Sequence, residues 1–120
     1  MTETTNAKPY DLEERTMKFA KDVISFVGTC PKTLVNTELT KQVVRSACSL
    51  GANYIEAKES LGKKDQAMRI RISRKEVKES RYWLQLFEIR RQEVEHKRND
   101  LIGESSELLK IFTSIIGKIK

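Results

Sequence analysis

Basic side chains recur every three or four residues in the middle of this 120-residue chain, within residues 69–86. Residues with that spacing lie on the same side of an α-helix, so these cations form one ridge if the stretch is helical. Such a ridge can neutralise successive phosphates and release their counterions, and a tyrosine beside it can stack on an unpaired base. The residues expected to bind nucleic acid are Arg71, Arg74, Lys75, Lys78, Arg81 and Tyr82.

The distribution of charge supports this interpretation. The chain has a formal net charge of +6. Residues 63–91 contain ten Lys and Arg and four acidic residues, whereas the rest of the chain contains equal numbers of basic and acidic ones. All of the excess positive charge therefore lies on one predicted helix. The alternative is a solvated basic face that acidic residues of adjacent helices neutralise.

Acidic residues on an apolar stripe form a second group with possible chemistry. Glu76 and Glu79 lie one helical turn apart, in line with Ile72 and Trp83. Carboxylates inside a bundle can hold metals, but di-iron sites need two Glu-x-x-His motifs, and the single match, at residues 93–96, falls in a predicted connection. We therefore expect no metal and no cofactor, but a buried polar network that fixes helix register. Its predicted members are Arg45, Asn53, Glu56, Glu76, Glu79 and Glu104.

Covalent catalysis has little support in the sequence. The candidate nucleophiles Ser46, Ser49, Cys30 and Cys48 have no histidine near them in sequence, and the chain contains one histidine in all. Two cysteines without CxxC spacing are too few for a disulfide framework or a zinc site. A glycine-rich phosphate loop is absent. We therefore expect a protein that is not an enzyme and has no catalytic residues.

Helices are the elements that must position these residues. Apolar residues recur at helical spacing, and no strand-like alternation competes with them. The first predicted helix runs from a cap at Asp11 to residue 28, and the second from residue 36 or 37 to residue 60, with Gly62 as its cap. The third covers residues 64–90 and the fourth residues 101–119. Residues 92–98 are predicted to be a polar connection between the last two. Residues 1–10 are expected to form a flexible N-terminal tail, and residues 11–120 a single domain. Four long helices with short links predict an all-α, antiparallel up-and-down four-helix bundle.

The second, third and fourth predicted helices each have roughly half of their circumference apolar, where a closed monomeric bundle needs only a narrow seam from each. The third helix carries two apolar stripes. The first includes Met68 and Leu86, and the second consists of Ile70, Val77 and Leu84 at intervals of seven residues. We expect a neighbouring subunit to bury the second stripe, because exposed it would promote aggregation. The sequence thus predicts a homo-oligomer. Whether the basic residues face outward or line a central channel depends on which stripe packs within the subunit.

The composition predicts a cytoplasmic protein without membrane contact. Hydrophobic residues make up 38% of the chain and charged residues 33%. No apolar run approaches the roughly 18 residues of a membrane span. The amino terminus lacks the apolar core of a signal peptide.

Two motifs resemble the four-helix-bundle proteins of the 23S rRNA intervening-sequence family. They are residues 45–57 and residues 75–84, and residues 101–111 are similar to the last helix of that family. The resemblance spans residues 10–118. Cys48 departs from it, at a position where the family usually has another small residue.

The resemblance implies a left-handed antiparallel bundle that assembles as a homopentamer. Proteins of this family are encoded within insertions in ribosomal RNA genes or as stand-alone bacterial proteins, and no enzymatic activity is established for them. A related branch, the accessory proteins of diversity-generating retroelements, forms basic pentameric barrels that bind nucleic acid and a reverse transcriptase. The expected partners are therefore further copies of the chain, nucleic acid with RNA favoured, and a reverse transcriptase or a ribosomal component.

The residues and the resemblance together predict a non-enzymatic homo-oligomer that binds nucleic acid through its third helix. The alternative is a protein–protein scaffold, or an accessory subunit of a nucleic-acid enzyme such as a reverse transcriptase, whose basic surface docks an acidic protein. Salt-dependent binding to polynucleotides indicates the first. Binding to one protein that is insensitive to nuclease indicates the second.

Overall fold

The computed structural model describes residues 12–119, which form four α-helices. They are α1 (Leu12–Thr29), α2 (Leu34–Glu59), α3 (Lys63–Leu86) and α4 (Gln92–Lys118). These residues contain no strand, and the prediction of an all-α chain is confirmed. The predicted tail at residues 1–10 and the predicted cap at Asp11 lie outside the described residues. None of the described helices is long and apolar enough to cross a membrane.

The helix α2 begins two to three residues before its predicted start. Thr33 is its N-cap, and the Thr33 hydroxyl accepts a hydrogen bond from the amide of Asn36 at 3.0 Å, the interaction by which threonine stabilises a helix start. At the other end Ser60 is the C-cap and donates its amide to the carbonyl of Ala57. The prediction that Gly62 caps this helix is wrong. Gly62 has an extended backbone and is instead the N-cap of α3.

The turn between α3 and α4 comes earlier in the chain than predicted. The last residue of α3 is Leu86, four residues before the expected end, and residues 92–98 are the first turns of α4 rather than a connection. Phe87 leaves the helical conformation with φ −62° and ψ 139°. Its buried ring packs edge-on against Phe26, with the ring centroids 5.3 Å apart. The end of α3 therefore coincides with a buried aromatic contact to α1.

One buried side chain joins the α1–α2 turn to the α3–α4 turn. Asn36 donates from Nδ2 to the carbonyls of Pro31 and Glu88, both at 2.9 Å, and its Oδ1 accepts from the amide of Glu88 at 2.9 Å. Nearby, Arg98 donates to the carbonyl of Phe87 at 3.2 Å. These bonds satisfy backbone groups that the end of a helix leaves unpaired. They hold the two turns together at one end of the molecule.

The helices enclose a common core. In the described residues, α1 and α3 each contact both α2 and α4. The core includes the fully buried rings of Phe19 from α1 and Phe112 from α4. From α3 it takes Ile70, Val77 and Leu84, which recur every seven residues. That spacing is the one by which a helix keeps a straight seam against its neighbours.

Small side chains line the contact between α2 and α3. The hydroxyls of Ser46 and Ser80 lie 2.8 Å apart, and Ser73 donates to the carbonyl of Leu50 at 2.7 Å. All three serines are completely buried, and each hydroxyl has a hydrogen-bond partner, as buried polar groups require. The two helices therefore approach closely without leaving these hydroxyls unpaired.

Candidate nucleic-acid interface

The basic residues of α3 lie on its outer side. Arg71, Lys75 and Lys78 are exposed, and Arg74 and Arg81 are half-buried next to them. Because the buried positions of α3 form one seam, the positions between them point away from the core. These five cations, which we call the basic face, form one continuous surface along the helix.

No cation of the basic face forms an ion pair with a residue in the described part of the chain. Surface cations on other helices behave differently. Lys18 pairs with Asp22 at 2.7 Å on α1, and Lys41 pairs with Glu38 at 3.4 Å on α2. An unpaired cation keeps its charge available to an external anion. Within residues 12–119, direct contact with acidic neighbours therefore does not neutralise the basic face.

Tyr82 lies beside the end of the basic face, with 58% of its surface exposed. Its ring is edge-on to that of Trp83, with the centroids 5.2 Å apart and an interplanar angle of 69°. Trp83 is half-buried and packs against the core. The tyrosine ring thus has an anchored neighbour and remains open to solvent, as a base-stacking residue must.

Three of the residues predicted to form a polar network meet between α2 and α3. Arg45 Nη2 lies 3.1 Å from Glu79 Oε1 and 3.4 Å from Glu76 Oε1. Glu76 is only 4% exposed, whereas about half of the Arg45 side chain remains in solvent. One cation therefore bridges two carboxylates that are one helical turn apart. The cluster connects α2 to α3 at the edge of the core.

Asn53 belongs to a separate hydrogen-bonded group. It accepts a bond from Arg69 Nη1 at 3.1 Å and donates to the carbonyl and the hydroxyl of Ser49. Arg69 was not among the predicted members. Its position seven residues before Glu76 places both on the same edge of α3, and that spacing is the signal that could have found it.

Glu56 and Glu104 do not join the predicted network. Glu56 is exposed, and its carboxylate has no ion-pair partner among the described residues. Glu104 is turned towards α1, where its two oxygens accept bonds of 2.6 Å and 2.9 Å from Arg15 Nε and Nη2. This paired hydrogen bond raises the pKa of the Arg15 guanidinium above its ordinary value. The expectation failed because helical spacing does not show which neighbouring helix a side chain faces.

The predicted oligomer interface is also corrected. Ile70, Val77 and Leu84 are 2%, 0% and 0% exposed and fill the core of the single chain, so no surface of these residues is left for a neighbouring subunit. The large apolar side chains that α3 exposes are instead Met68 and Leu86 of the other stripe. The basic face therefore lies beside an exposed stripe rather than opposite one.

Another exposed apolar surface lies between α1 and α2. Met17 and Ile55 line a groove of about 250 Å³, together with Cys48 and other small residues. A second groove of about 350 Å³, lined by Ile24 and Val27, lies between the same two helices nearer the start of α2. We call these two depressions the α1–α2 groove. Sequence reasoning did not single out this surface, because each of its helices also has an ordinary buried stripe.

The residues of the predicted Glu-x-x-His match lie in a helix and not in a connection. Glu93 and His96 are exposed in the first turns of α4. Backbone hydrogen bonding at the helix start, and then the contact with Arg91, lower the pKa of Glu93. In residues 12–119, no group of three or more His, Cys, Asp or Glu side chains is placed to hold a metal ion.

The chain is similar to known proteins in sequence and in structure. The family model described as 23S rRNA-intervening sequence protein matches residues 8–114. A crystal structure of a protein with unknown function from the S23 ribosomal protein family of Bacteroides thetaiotaomicron VPI-5482 is 29% identical, with a TM-score of 0.71 over 88% of this chain and 97% of that one. A comparison with curated proteins finds no match. Since the family model covers most of its length, the chain belongs to the 23S rRNA-intervening sequence protein family.

Proposed function

We propose that this protein is a non-enzymatic, homo-oligomeric four-helix bundle whose basic face binds nucleic acid, with RNA as the favoured ligand. One observation carries the proposal. Five cations lie side by side on α3, and none has a carboxylate partner among the described residues. The link between the family and ribosomal RNA genes supports RNA over DNA.

The contacts between helices support an antiparallel up-and-down bundle. Asn53 bonds to Arg69 and Ser46 bonds to Ser80, so residue numbers fall along α2 as they rise along α3. The turns between helices are three to five residues long, a length that joins antiparallel neighbours. In this arrangement α3 lies between α2 and α4, and the basic face runs along one side of the bundle.

The basic face can neutralise several phosphates at once. Each phosphate contact releases counterions, so the logarithm of the binding constant falls with the logarithm of salt concentration by about 0.7 per contact on single strands and about 0.9 on B-DNA. If three to five cations contact phosphates, the expected slope is about −2 to −4. An oligomer repeats the face on every subunit and increases the avidity.

The test removes the exposed cations and measures RNA binding over a range of salt concentrations. In Arg71→Gln/Lys75→Gln/Lys78→Gln, three unpaired charges are lost from the outer side of α3. We expect binding to mixed-sequence RNA to weaken at least about tenfold at low salt, and the salt slope to become flatter by about 2. DNA of the same sequence, used as competitor, should displace the RNA less well than unlabelled RNA does.

The matched control removes the same number of charges elsewhere. Lys18→Gln/Lys41→Gln/Lys110→Gln removes three surface cations that already have carboxylate partners on their own helices. This variant should bind RNA almost as the wild type does. If the control weakened binding as much as the α3 variant, only the net charge would matter and the basic face would have no special role.

We further infer that subunits contact one another through the α1–α2 groove. Met17 and Ile24 are exposed there in the single chain, and an apolar surface of this kind promotes association. The subunit number expected from the family resemblance is five.

Light scattering and thiol labelling test the oligomer. The wild type should have the mass of about five subunits, and Ile24→Glu should lower the mass because it places a charge in the groove.

Cys48 lines the groove and is exposed in the single chain, so it should react slowly with a thiol reagent in the oligomer and quickly in Ile24→Glu. Cys30 should react slowly with the reagent in both the wild type and Ile24→Glu, because burial raises the pKa of its thiol. A wild-type monomer would contradict the proposal.

The alternative function is a protein–protein scaffold or an accessory subunit of a nucleic-acid enzyme such as a reverse transcriptase. The same unpaired cations could then dock an acidic protein. Stoichiometric binding to one protein that survives nuclease treatment, and that Arg71→Gln/Lys75→Gln/Lys78→Gln abolishes, would favour this alternative. Persistent RNA binding by the purified protein alone would favour the first proposal.

A further inference from the structure

The outer side of α3 presents apolar and aromatic surface as well as positive charge. Met68 precedes the exposed cations, and Tyr82 and Leu86 follow them, all three with large exposed fractions. Successive members of this set are three or four residues apart, so each is the neighbour of the next on the helix surface. The set, which we call the α3 ridge, consists of Met68, Arg71, Lys75, Lys78, Tyr82 and Leu86.

We propose that the α3 ridge binds a single-stranded nucleic acid, with phosphates against its cations and an unpaired base stacked on Tyr82. The inference rests on the proposed nucleic-acid function and specifies the strandedness of the ligand. A single strand offers a charged backbone together with exposed base faces. Proteins bind such strands by combining a basic track with aromatic platforms, and the ridge carries both along one line.

A duplex fits the same surface less well. Its base faces are stacked inside, so Tyr82 and Leu86 would meet only sugars and phosphates. The major groove of A-form RNA is too narrow and deep for side chains to read, and α3 is flanked by α2 and α4. Covering apolar side chains with a phosphate backbone desolvates polar groups without giving them a partner. The apolar members of the ridge therefore favour a single strand.

Tyr82 is prepared for stacking by its neighbour. The ring of Trp83, which packs against the core, lies 5.2 Å from the tyrosine ring and limits its movement. A supported ring loses less conformational freedom when a base stacks on it. From Arg71 to Leu86 the ridge is about 22 Å long, at a rise of about 1.5 Å per residue. It is therefore long enough to contact several nucleotides.

The test compares a labelled mixed-sequence RNA of about 12 nucleotides, a length within the usual range of single-strand sites, with the blunt duplex of the same sequence. Binding to the full chain is measured by fluorescence anisotropy at one low salt concentration. We expect the single strand to bind at least about tenfold more tightly. Tyr82→Ala should weaken single-strand binding by about 5- to 150-fold, the loss of one base–aromatic stack, and leave duplex binding unchanged.

Two further variants separate stacking from other effects. Tyr82→Phe keeps the ring and should bind like the wild type. Gln85→Ala is the matched control, since Gln85 is exposed one turn away and has no ring. Trp83 is the only tryptophan of the chain, and its emission should fall when single-stranded RNA binds to the wild type but not when it binds to Tyr82→Ala.

The outcomes separate this inference from the function on which it rests. Equal or tighter binding of the duplex, or an equal loss of both ligands in Tyr82→Ala, would overturn the single-strand inference and leave the proposed nucleic-acid function in place. Unchanged single-strand binding in Tyr82→Ala would overturn it as well. If neither ligand bound the wild type, both proposals would be wrong.

Discussion

The inner and the outer side of α3 both contain large apolar residues, yet only one of them packs within the chain. The inner side has Ile70, Val77 and Leu84 at intervals of seven residues, with Ser73 and Ser80 between them, and all five are buried. On the outer side, exposed Lys and Arg lie between Met68 at one end and Tyr82 and Leu86 at the other. Apolar content alone therefore does not decide which stripe is buried. The buried stripe is the one whose large residues are regularly spaced, with small residues between them.

The serines give the physical reason. Ser73 and Ser80 are small enough to let α2 come close, and their hydroxyls bond to the carbonyl of Leu50 and the hydroxyl of Ser46. The stripe of Met68 and Leu86 has Glu76 and Glu79 in line with it. Carboxylates are costly to bury without a cation. Arg45 supplies that cation only at the edge of the contact between α2 and α3. The stripe of Met68 and Leu86 therefore borders the core and does not fill it.

The largest expected difference in the free energy of unfolding is between alanine substitutions at two leucines that are two residues apart. Leu84 is completely buried and Leu86 is 46% exposed. Leu84→Ala should lower the free energy of unfolding by about 2–5 kcal/mol, because it removes buried contacts and leaves a cavity. Leu86→Ala should lower it by less than about 1 kcal/mol. Urea denaturation followed by far-UV circular dichroism measures both, and equal losses would mean that the two sides of α3 are not different.

A second prediction concerns the small residues of the inner side. Ser73→Leu should destabilise the protein by about 2–4 kcal/mol, because it overpacks the contact with α2 and removes the bond to the carbonyl of Leu50. The same measurement on Gln85→Leu, an exposed site on the outer side, should show a change within about 0.5 kcal/mol. A well-tolerated leucine at position 73 would show that close approach of α2 is not what selects the inner stripe.

A third prediction concerns the carboxylate of Glu76, which lies between the inner and the outer side of α3. Arg45→Gln should destabilise the protein by about 1–2 kcal/mol, because it leaves the buried carboxylate of Glu76 without its cation. In Arg45→Gln/Glu76→Gln the stranded charge is gone, so part of this stability should return. A thermal double-mutant cycle with both single variants measures the coupling. Strictly additive effects would mean that the 3.4 Å contact between them contributes nothing.

The smallest effects on stability are expected on the outer side. Lys78→Ala and Tyr82→Ala should each change the free energy of unfolding by less than about 0.5 kcal/mol, because both side chains are exposed. The same two variants should weaken RNA binding. A melting temperature that fell as far as it does in Leu84→Ala would show that the outer side also stabilises the fold.

Much of the fold could be predicted from local pattern. The four helices follow from apolar periodicity, and the basic face follows from cations three and four residues apart on one of them. Arg45, Glu76 and Glu79 were predicted to belong to one polar network, and the structure brings them together. The partners of Asn53 and Glu104 were not predicted, because they depend on the rotation of each helix about its own axis.

The end of α3 illustrates a boundary that local pattern misplaces. Polar residues after Arg91 look like a connection, although Glu93 and Glu95 suit the positive end of a helix dipole. Where α3 ends, Phe87 packs on Phe26, and Asn36 binds the backbone of the next residue from 52 positions away. Neither contact can be predicted from the residues near the turn.

Local pattern is enough to predict that the chain is helical, where each helix approximately lies and which helix carries the excess charge. These properties depend on the spacing of side chains along one segment, which the order of residues specifies directly. The packing of the four helices places Ile70, Val77 and Leu84 in the core and leaves the basic face beside Met68 and Leu86, and local pattern does not predict this. The physical reason is that burial is a property of pairs of distant segments. A helix with two apolar stripes buries the one that its neighbours can approach closely.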